Sequence, residues 1–522
     1  SPFKMTATYQ NPILKGDYSD PDVVRVGHDY YMISSSFTYF PGIPVLHSTD
    51  LVHWEHIGYV AESLPFTAYE TPNHKKGTWA PCIRYHEGTF YVYVCAPDEG
   101  LFVFTAKNPA GPWRMHHGAN ETGWIDPTVL FDDDGQVYLV HAWARSRAAI
   151  SSRLYLHRMN AEGTKVIDGG IEIFSQEDRH PTTEGPKLYK RNGYYYIMCP
   201  AGGVKTGWQL ILRSRQIEGP YEQKIVLHQG DTQVNGPHQG GWVDTPEGED
   251  WFIHFQDIYV YGRVPHLQPV HWVDDWPLMG VDTNGDGIGE PVIEYPVPKG
   301  YEASSARPFT SDTFCGDRLG LQWQWQANPR REWYSMTENP EALRLNMSRI
   351  HKTSTLFHAG QFLSQLMQHY DFDMTVEVDW AGEEPGDRAG IAMMGYTYRY
   401  LALEKGKQGL QIALYQGETQ EFPKGSECDE RVWETKLWSR ELPEGKVYLK
   451  MQVRSDFTGE HPEARVQFAY SVDGQHFETA GDTWLAVCGG WVSARPGIFA
   501  ANFEGRISPG YADFRNCIIA EP

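Results

Sequence analysis

The 522-residue sequence has little positive charge and no long apolar run. Its 45 Lys and Arg stand against 67 Asp and Glu, which makes the formal net charge −22. An acidic surface of this kind argues against nucleic acid or an anionic membrane face as a partner. No apolar stretch approaches the roughly 20 residues that a bilayer span requires. We therefore expect neither a nucleic-acid nor a membrane partner.

Paired cysteine motifs and an apolar N-terminal segment are also missing. The seven cysteines form an odd set without any CxxC spacing, which favours free thiols in a reducing compartment over a disulfide framework. The N-terminal run SPFKMTATYQ has no apolar core of a signal peptide. The sequence predicts a cytoplasmic protein, and a secreted or periplasmic one whose signal was removed stays the alternative.

The sequence is rich in aromatic residues, glycine and proline, with 18 Trp, 30 Tyr, 23 Phe, 51 Gly and 34 Pro. This composition is typical of many short strands joined by turns. One pattern occurs five times: a short apolar run, a polar turn with glycine, and an aromatic-rich alternating run. Each copy reads as a hairpin, and the intervening residues suffice for two more strands. Five such units predict a five-bladed β-propeller over about residues 10–295. The copies are DPDVVRVGHDYYMISSS, APCIRYHEGTFYVYVCA, DPTVLFDDDGQVYLVHA, GPKLYKRNGYYYIMCPA and the weaker QGGWVDTPEGEDWFIHF.

The pattern changes after the fifth copy. YPVPKGYEASSARPF reads as a linker, and longer alternating runs such as DFDMTVEVDW and KVYLKMQVRS follow it. These runs are typical of a β-sandwich. The sequence therefore predicts an all-β protein with a propeller domain over residues 1–298 and a sandwich domain over residues 299–522.

Carboxylates stand near the start of several propeller copies. Because the first strand of each blade lines the central channel, residues at one repeat position converge there. At or just before the copies are Asp20, Trp79-Ala80, Asp126, Glu184 and His238. The proline after Asp20 and after Asp126 predicts an extended backbone at each aspartate. A single Asp-Pro is more often a turn than a catalyst. Three carboxylates in register, however, indicate acid–base chemistry of the kind used in glycoside hydrolysis.

Aromatic residues lie close to these carboxylates in the sequence. Phe37, Trp79, Trp143 and Trp208 could stack on the apolar faces of sugar rings. Each of them taken alone is more often part of a propeller core.

Four segments stand in order along the propeller region: YQNPILKGDYSDPDVVRVGHDYYMISSSFTYFPGIPVLHSTDLVHW, TWAPCIRYHEGTFYVYVCA, WIDPTVLFDDDGQVYLVHA and TEGPKLYKRNGYYYIM. Together they resemble glycoside hydrolase family 43, in the branch that carries a concanavalin-like C-terminal sandwich. The resemblance implies a five-bladed propeller and a mechanism that inverts the anomeric centre. It implies that Asp20 is the general base, Asp126 the residue that modulates the pKa of the acid, and Glu184 the general acid.

The same resemblance suggests further site residues. It implies a structural calcium ion near His238, a substrate contact from Arg263, and aromatic walls from Phe37 and Trp79. Trp143 is a weaker match, because the surrounding HAWARS departs from the family pattern.

The resemblance predicts an inverting exo-glycosidase. Its substrates would be hemicellulose-derived oligosaccharides with terminal xylose, terminal arabinofuranose or both, as for β-xylosidases and α-L-arabinofuranosidases. One alternative is an endo-acting arabinanase or xylanase on the same fold. An alternative of another class is a propeller that binds carbohydrate without catalysis. The sequence leaves the choice between the two sugars and the oligomeric state open.

Overall fold

The computed structural model describes residues 6–350 and 353–522, and nearly all regular structure in these ranges is β-strand. The first five residues, on which part of the localisation prediction rests, lie outside them. No helix in the described ranges is long and apolar enough to cross a membrane. The helices of the described residues are one α-helix, Arg145–Ala148, and the 3₁₀ helices Thr67–Tyr69, Tyr259–Tyr261, Arg331–Trp333 and Leu356–His358.

The N-terminal part forms five four-stranded antiparallel sheets, each with its strands paired in sequence order. Strand β1 (Thr8–Gln10) precedes them. The first blade contains β2 (Asp22–Val26), β3 (Asp29–Ile33), β4 (Gly42–Ser48) and β5 (Glu55–Ala61). The second contains β6 (Trp79–His86), β7 (Thr89–Ala96), β8 (Gly100–Ala106) and β9 (Arg114–Ala119). The third contains β10 (Trp124–Phe131), β11 (Val137–Trp143), β12 (Arg153–Met159) and β13 (Ile171–Ser175).

The last two blades continue the same pattern. The fourth contains β14 (Lys187–Arg191), β15 (Tyr194–Ala201), β16 (Trp208–Ser214) and β17 (Glu222–Leu227). The fifth contains β18 (His238–Asp244), β19 (Asp250–Asp257), β20 (Arg263–Val273) and β21 (Trp276–Met279). Strand β22 (Glu294–Pro296) then pairs with β1, which ties the end of the propeller to its beginning.

The five predicted hairpins are the first two strands of each blade, so the predicted five-bladed propeller is confirmed. A glycine with positive φ lies in the turn of every hairpin, at φ values between 65° and 86°. Only glycine adopts this conformation without steric cost, which explains why the turn glycine recurs. These glycines are Gly27, Gly88, Gly135, Gly193 and Gly248.

The C-terminal part is a sandwich of two seven-stranded sheets. Alternating burial along β27 is typical of a sheet with one face on the core. One sheet has the order β23-β26-β35-β28-β29-β30-β31, and the other has the order β24-β25-β36-β27-β32-β33-β34. Their strands are β23 (Gln324–Trp325), β24 (Tyr334–Ser335), β25 (Leu343–Asn346), β26 (Leu363–Ser364), β27 (Phe372–Ala381), β28 (Asp387–Met394), β29 (Thr397–Lys405), β30 (Leu410–Glu421), β31 (Glu430–Glu441), β32 (Lys446–Asp456), β33 (Glu463–Ser471), β34 (Glu478–Leu485), β35 (Arg495–Asn502) and β36 (Tyr511–Ala520).

The sandwich is docked on the propeller. Phe40 and Trp325 exchange two backbone hydrogen bonds of 2.9 and 2.6 Å, and Asn328 binds both backbone groups of Leu64. The core of the sandwich also includes Tyr261 and Val264 of the propeller. The predicted boundary between residues 298 and 299 falls in the strand-free segment between β22 and β23.

The side chain of Arg84 connects the blades near the propeller axis. The guanidinium of Arg84 on β6 donates to Asp22 of blade one, to Thr128 and Val129 of blade three, and to Leu188 of blade four. It also lies over the ring of Tyr189, whose hydroxyl accepts the N–H of Trp242 in blade five. The first strands of all five blades are thereby connected through one side chain and its neighbour.

All seven cysteines are free, as predicted. Cys82, Cys95, Cys199 and Cys517 are buried, whereas Cys315 and Cys428 are exposed. The cytoplasmic location stays a prediction.

Candidate active site

A pocket of about 630 Å³ lies where the first strand of each blade begins. The predicted catalytic residues Asp20, Asp126 and Glu184 all line it. Three of the four predicted substrate contacts, Phe37, Trp79 and Arg263, line it as well. The pocket thus brings together predicted site residues that are up to 243 positions apart in the sequence, Asp20 and Arg263.

The backbone at the strand starts differs from the predicted extended form. Asp20 and Asp126 have φ values of 53° and 55°, and the corresponding residues of the other blades are also in the left-handed region. In blades two, three and five the strand pairing shifts register at this point. A bulge of this kind re-aims a side chain, and it overrides the preference of the residue before proline. The positions in the other blades are Ala80, Gly185 and Gln239.

The three carboxylates are also not in one register. Gly185 occupies the left-handed position of blade four, so Glu184 stands one residue earlier than Asp20 and Asp126 do in theirs. The prediction that they converge holds, but the predicted equivalence of their positions is wrong. The offset gives Glu184 a different direction of approach to the pocket from that of the two aspartates.

Asp20 is surrounded by hydrogen-bond donors. One carboxylate oxygen accepts bonds from the Ser35 hydroxyl at 2.6 Å and the Ser19 hydroxyl at 3.1 Å. The Ser35 oxygen accepts the N–H of Ala80 at 2.7 Å, so its hydroxyl hydrogen is directed to Asp20. The other carboxylate oxygen of Asp20 lies 3.5 Å from a guanidinium nitrogen of Arg263. These donors suit a carboxylate that accepts a proton.

Glu184 has a different environment. Burial raises the pKa of its carboxyl group, and the nearby charges of Asp126 and Asp20 raise it further. Only the charge of Arg263 opposes this shift. The result favours a protonated Glu184, which is the form required of a general acid.

The environment of Asp126 is intermediate between those of Asp20 and Glu184. Burial and the charge of Asp20 raise its pKa, whereas the N–H of Gly185, which donates to it at 2.8 Å, and the charges of Lys187 and Arg263 lower it. Its charge in turn raises the pKa of Glu184. This is the influence that the family resemblance ascribes to Asp126.

One aromatic wall of the pocket comes from both domains. The rings of Phe37 and Trp79 lie 6.0 Å apart, and Trp491 of the sandwich packs edge-on against Trp79 at 4.8 Å. Trp491 is 40% exposed, and it stands in the loop between β34 and β35. The sandwich therefore completes the site.

The sequence analysis missed these sandwich residues. Cys488, Trp491, Val492 and Tyr396 line the pocket together with propeller residues. The run Cys488-Gly-Gly-Trp491, in which two glycines precede an aromatic residue, was the available signal, but no sequence pattern places it beside Trp79. The propeller residues Lys75 and Lys205, which also line the pocket, were missed for the same reason.

Trp143 is not among the residues that line the pocket, and its contact with substrate stays a prediction. Its ring packs against His141 at 5.1 Å and edge-on against Tyr155 at 5.2 Å, within blade three. Trp143 lies at the end of β11, the second strand of the blade, where it pairs with Trp124 at the start of the first strand. Trp208 donates its ring N–H to His180 and is not a pocket residue either.

His238 lies beside the axis and is fully buried. Among the residues that the structure describes, neither ring nitrogen has a partner in hydrogen-bonding geometry, although the carbonyl groups of Gly203 and of His238 itself lie near. Burial lowers its pKa to about 4, so the ring is neutral. Within the described ranges, no group of three or more His, Cys, Asp or Glu is arranged to hold a metal. Calcium takes six to eight oxygen ligands, so an ion beside His238 would be held mainly by water.

Comparison with known proteins agrees with this architecture. The profile described as Glycosyl hydrolases family 43 matches residues 9–277, and the profile described as Beta xylosidase C-terminal Concanavalin A-like domain matches residues 311–517. A Xylanibacter ruminicola protein with the provisional name beta-xylosidase is 38% identical over 96% of this chain and 87% of its own length.

Two further relatives match most of the chain. The non-reducing end alpha-L-arabinofuranosidase BoGH43B of Bacteroides ovatus is 31% identical over 74% of this chain and 73% of its own length. The crystal structure of a mutant of the GH43 protein BlXynB from Bacillus licheniformis superposes with a TM-score of 0.81 and 27% identity, and it covers 98% of this chain and 100% of that one. With its carboxylate-lined propeller and its concanavalin-like second domain, this chain belongs to glycosyl hydrolases family 43.

Proposed function

We propose that this chain is an exo-acting, inverting glycosidase that removes terminal xylose, terminal arabinofuranose or both from hemicellulose-derived oligosaccharides. The observation that carries the proposal is the pocket in which Asp20, Asp126 and Glu184 meet beneath a wall supplied by the sandwich. The names of the two relatives, a provisional beta-xylosidase and an arabinofuranosidase, support this class of substrate.

The proton transfers follow from the three environments. Glu184 gives its proton to the glycosidic oxygen as the bond to the anomeric carbon breaks. It takes this role because burial and the charges of Asp126 and Asp20 raise its pKa, and the charge of Arg263 opposes them. Asp20 takes a proton from the water that attacks the anomeric carbon from the opposite side. Asp126 keeps Glu184 protonated through its charge, and Arg263 holds Asp20 in position.

The shape of the pocket favours an exo mode of action over an endo mode. An endo-acting enzyme needs a groove that is open at both ends, whereas here the loop with Cys488, Trp491 and Val492 forms part of the wall, and Tyr396 adds to it. A propeller that binds sugar without catalysis would not need a buried carboxyl group with a raised pKa. Exo hydrolysis is therefore the mode of action that the site supports best.

The test is a direct comparison of substrates. We expect release of the phenol from p-nitrophenyl β-xyloside, from the α-L-arabinofuranoside, or from both, and release of single sugars from xylo- and arabino-oligosaccharides. Proton NMR of the first product should show an anomeric configuration opposite to that of the substrate. Release of oligosaccharides would support the endo alternative, and a product of retained configuration would contradict the proposed role of Asp20.

The calcium ion stays a proposal. We propose a hydrated ion to which the protein contributes one ligand, His238. The unpaired ring nitrogens of this residue support it. Dialysis against EDTA should then lower the melting temperature, and added calcium should restore it, whereas the His238→Asn variant should not respond to either. An unchanged melting temperature in the EDTA-treated wild type would remove the proposal.

A further inference from the structure

We propose that Asp17 is a positioning residue that fastens the pocket loop of the sandwich, residues 486–494, to the backbone of Arg263. The inference rests on the proposed function, because Arg263 acts on the proposed base Asp20. Asp17 itself does not line the pocket. It would act by holding two pocket elements from different domains in one arrangement.

The carboxylate of Asp17 bridges the two domains. One oxygen accepts the N–H of Arg263 at 2.7 Å, and the other accepts the N–H of Ser493 at 2.8 Å. Asp17 is 5% exposed, and Ser493 is 1% exposed. Gly262 lets the chain approach this carboxylate, since a Cβ there would lie 2.4 Å from the carboxyl carbon of Asp17. The bond from Ser493 is buried and the bond from Arg263 is partly buried, so both donors depend on this acceptor.

Each bridged residue adjoins a functional group of the pocket. The guanidinium of Arg263 reaches the Ser19 hydroxyl at 3.2 Å and Asp20 at 3.5 Å. Ser493 directly follows the pocket residues Trp491 and Val492. A displaced Ser493 would therefore move the aromatic wall, and a displaced Arg263 backbone would move the partner of the base.

The bridge requires a carboxylate rather than an amide. Two separate N–H donors need two acceptor oxygens, whereas an asparagine side chain offers one oxygen and one NH₂ group. Burial raises the pKa of Asp17 to about 6, whereas the N–H groups of Arg263 and Ser493 and the charges of Arg263 and the buried Arg495 lower it. Asp17→Asn therefore preserves the size of the side chain and removes one of the two anchors.

The loop contains its own chemical probe. Cys488 lines the pocket in the same loop and is partly buried. In a Cys315→Ser/Cys428→Ser background, which removes the two exposed thiols, the rate of maleimide labelling reports on the anchoring of the loop. This readout does not depend on hydrolysis.

We expect Asp17→Asn to speed the labelling of Cys488 several-fold and to lower kcat/KM by about 10- to 100-fold, since small misplacements in an active site have effects of this size. Combined with Arg263→Met, it should lower kcat/KM little beyond the effect of Arg263→Met alone, because Asp17 acts partly through Arg263.

The matched control is Asn328→Asp, which disturbs another buried contact between the domains, the one with Leu64. This control variant should lower the melting temperature and leave the labelling rate of Cys488 and kcat/KM unchanged.

Unchanged labelling of Cys488 in Asp17→Asn would overturn the proposal, and so would faster labelling with an unchanged kcat/KM. Fully additive losses in the double variant would also overturn it. An absence of hydrolysis by the wild type would instead contradict the proposed function, and the labelling result would still decide whether Asp17 anchors the loop.

Discussion

Replacement of Glu184 with Gln should reduce hydrolysis of xylobiose by a factor of about 10²–10⁴ and leave much more of the activity on an aryl xyloside. The leaving group of xylobiose is a sugar alkoxide, which requires a proton from the general acid. A nitrophenolate leaves without one. The contrast is measured as the ratio of kcat/KM on the two substrates for the variant and the wild type.

The matched control is Asp20→Asn, which removes the proposed base. Water must be activated whichever leaving group departs, so this variant should lose activity on both substrates to a similar and severe degree. Equal losses on both substrates in a folded Glu184→Gln variant would contradict its assignment as the acid.

The pH dependence checks the same assignment. The protonated form of Glu184 is the active one, so the rate should fall as pH rises through its pKa. Since burial and the charge of Asp126 raise that pKa, the fall should lie well above the range of an ordinary glutamate. In Asp126→Asn the fall should move to lower pH, because one of the neighbouring charges is gone.

We also expect Arg84→Met to destabilise the propeller by about 3–5 kcal/mol, the typical effect of removing one partner of a buried ion pair. The change leaves the buried carboxylate of Asp22 without its charged partner. It also leaves the carbonyl groups of Val129 and Leu188 without their donor. Denaturant unfolding followed by tryptophan fluorescence measures the loss.

Arg25→Met is the control for this stability prediction. Arg25 pairs with Asp244 and so also connects two blades, but Asp244 is largely exposed. Exposed pairs contribute about 0–1 kcal/mol. If the Arg84 and Arg25 variants unfold at the same denaturant concentration, the axial role of Arg84 is wrong.

The sequence by itself determined the architecture and the three carboxylates of the site. Each blade begins with a local hairpin pattern whose glycine turn can be read without tertiary information, and five such patterns define the propeller. The convergence of Asp20, Asp126 and Glu184 follows from that repeat, because the regions where the first strands of the blades begin must meet at the axis. Alternating apolar residues likewise identified the sandwich.

Only the tertiary structure decided how the site is assembled. The left-handed backbone at Asp126, which overrides the local preference set by proline, coincides with bulged strand pairing. The same backbone form at Asp20 lies just before the first strand of its blade. Asp17, Arg84 and Trp491 acquire their roles from partners in other blades or in the other domain. A local pattern records which face of a strand is buried. It does not record which distant backbone donor or ring will lie opposite, because that depends on how complete sheets pack.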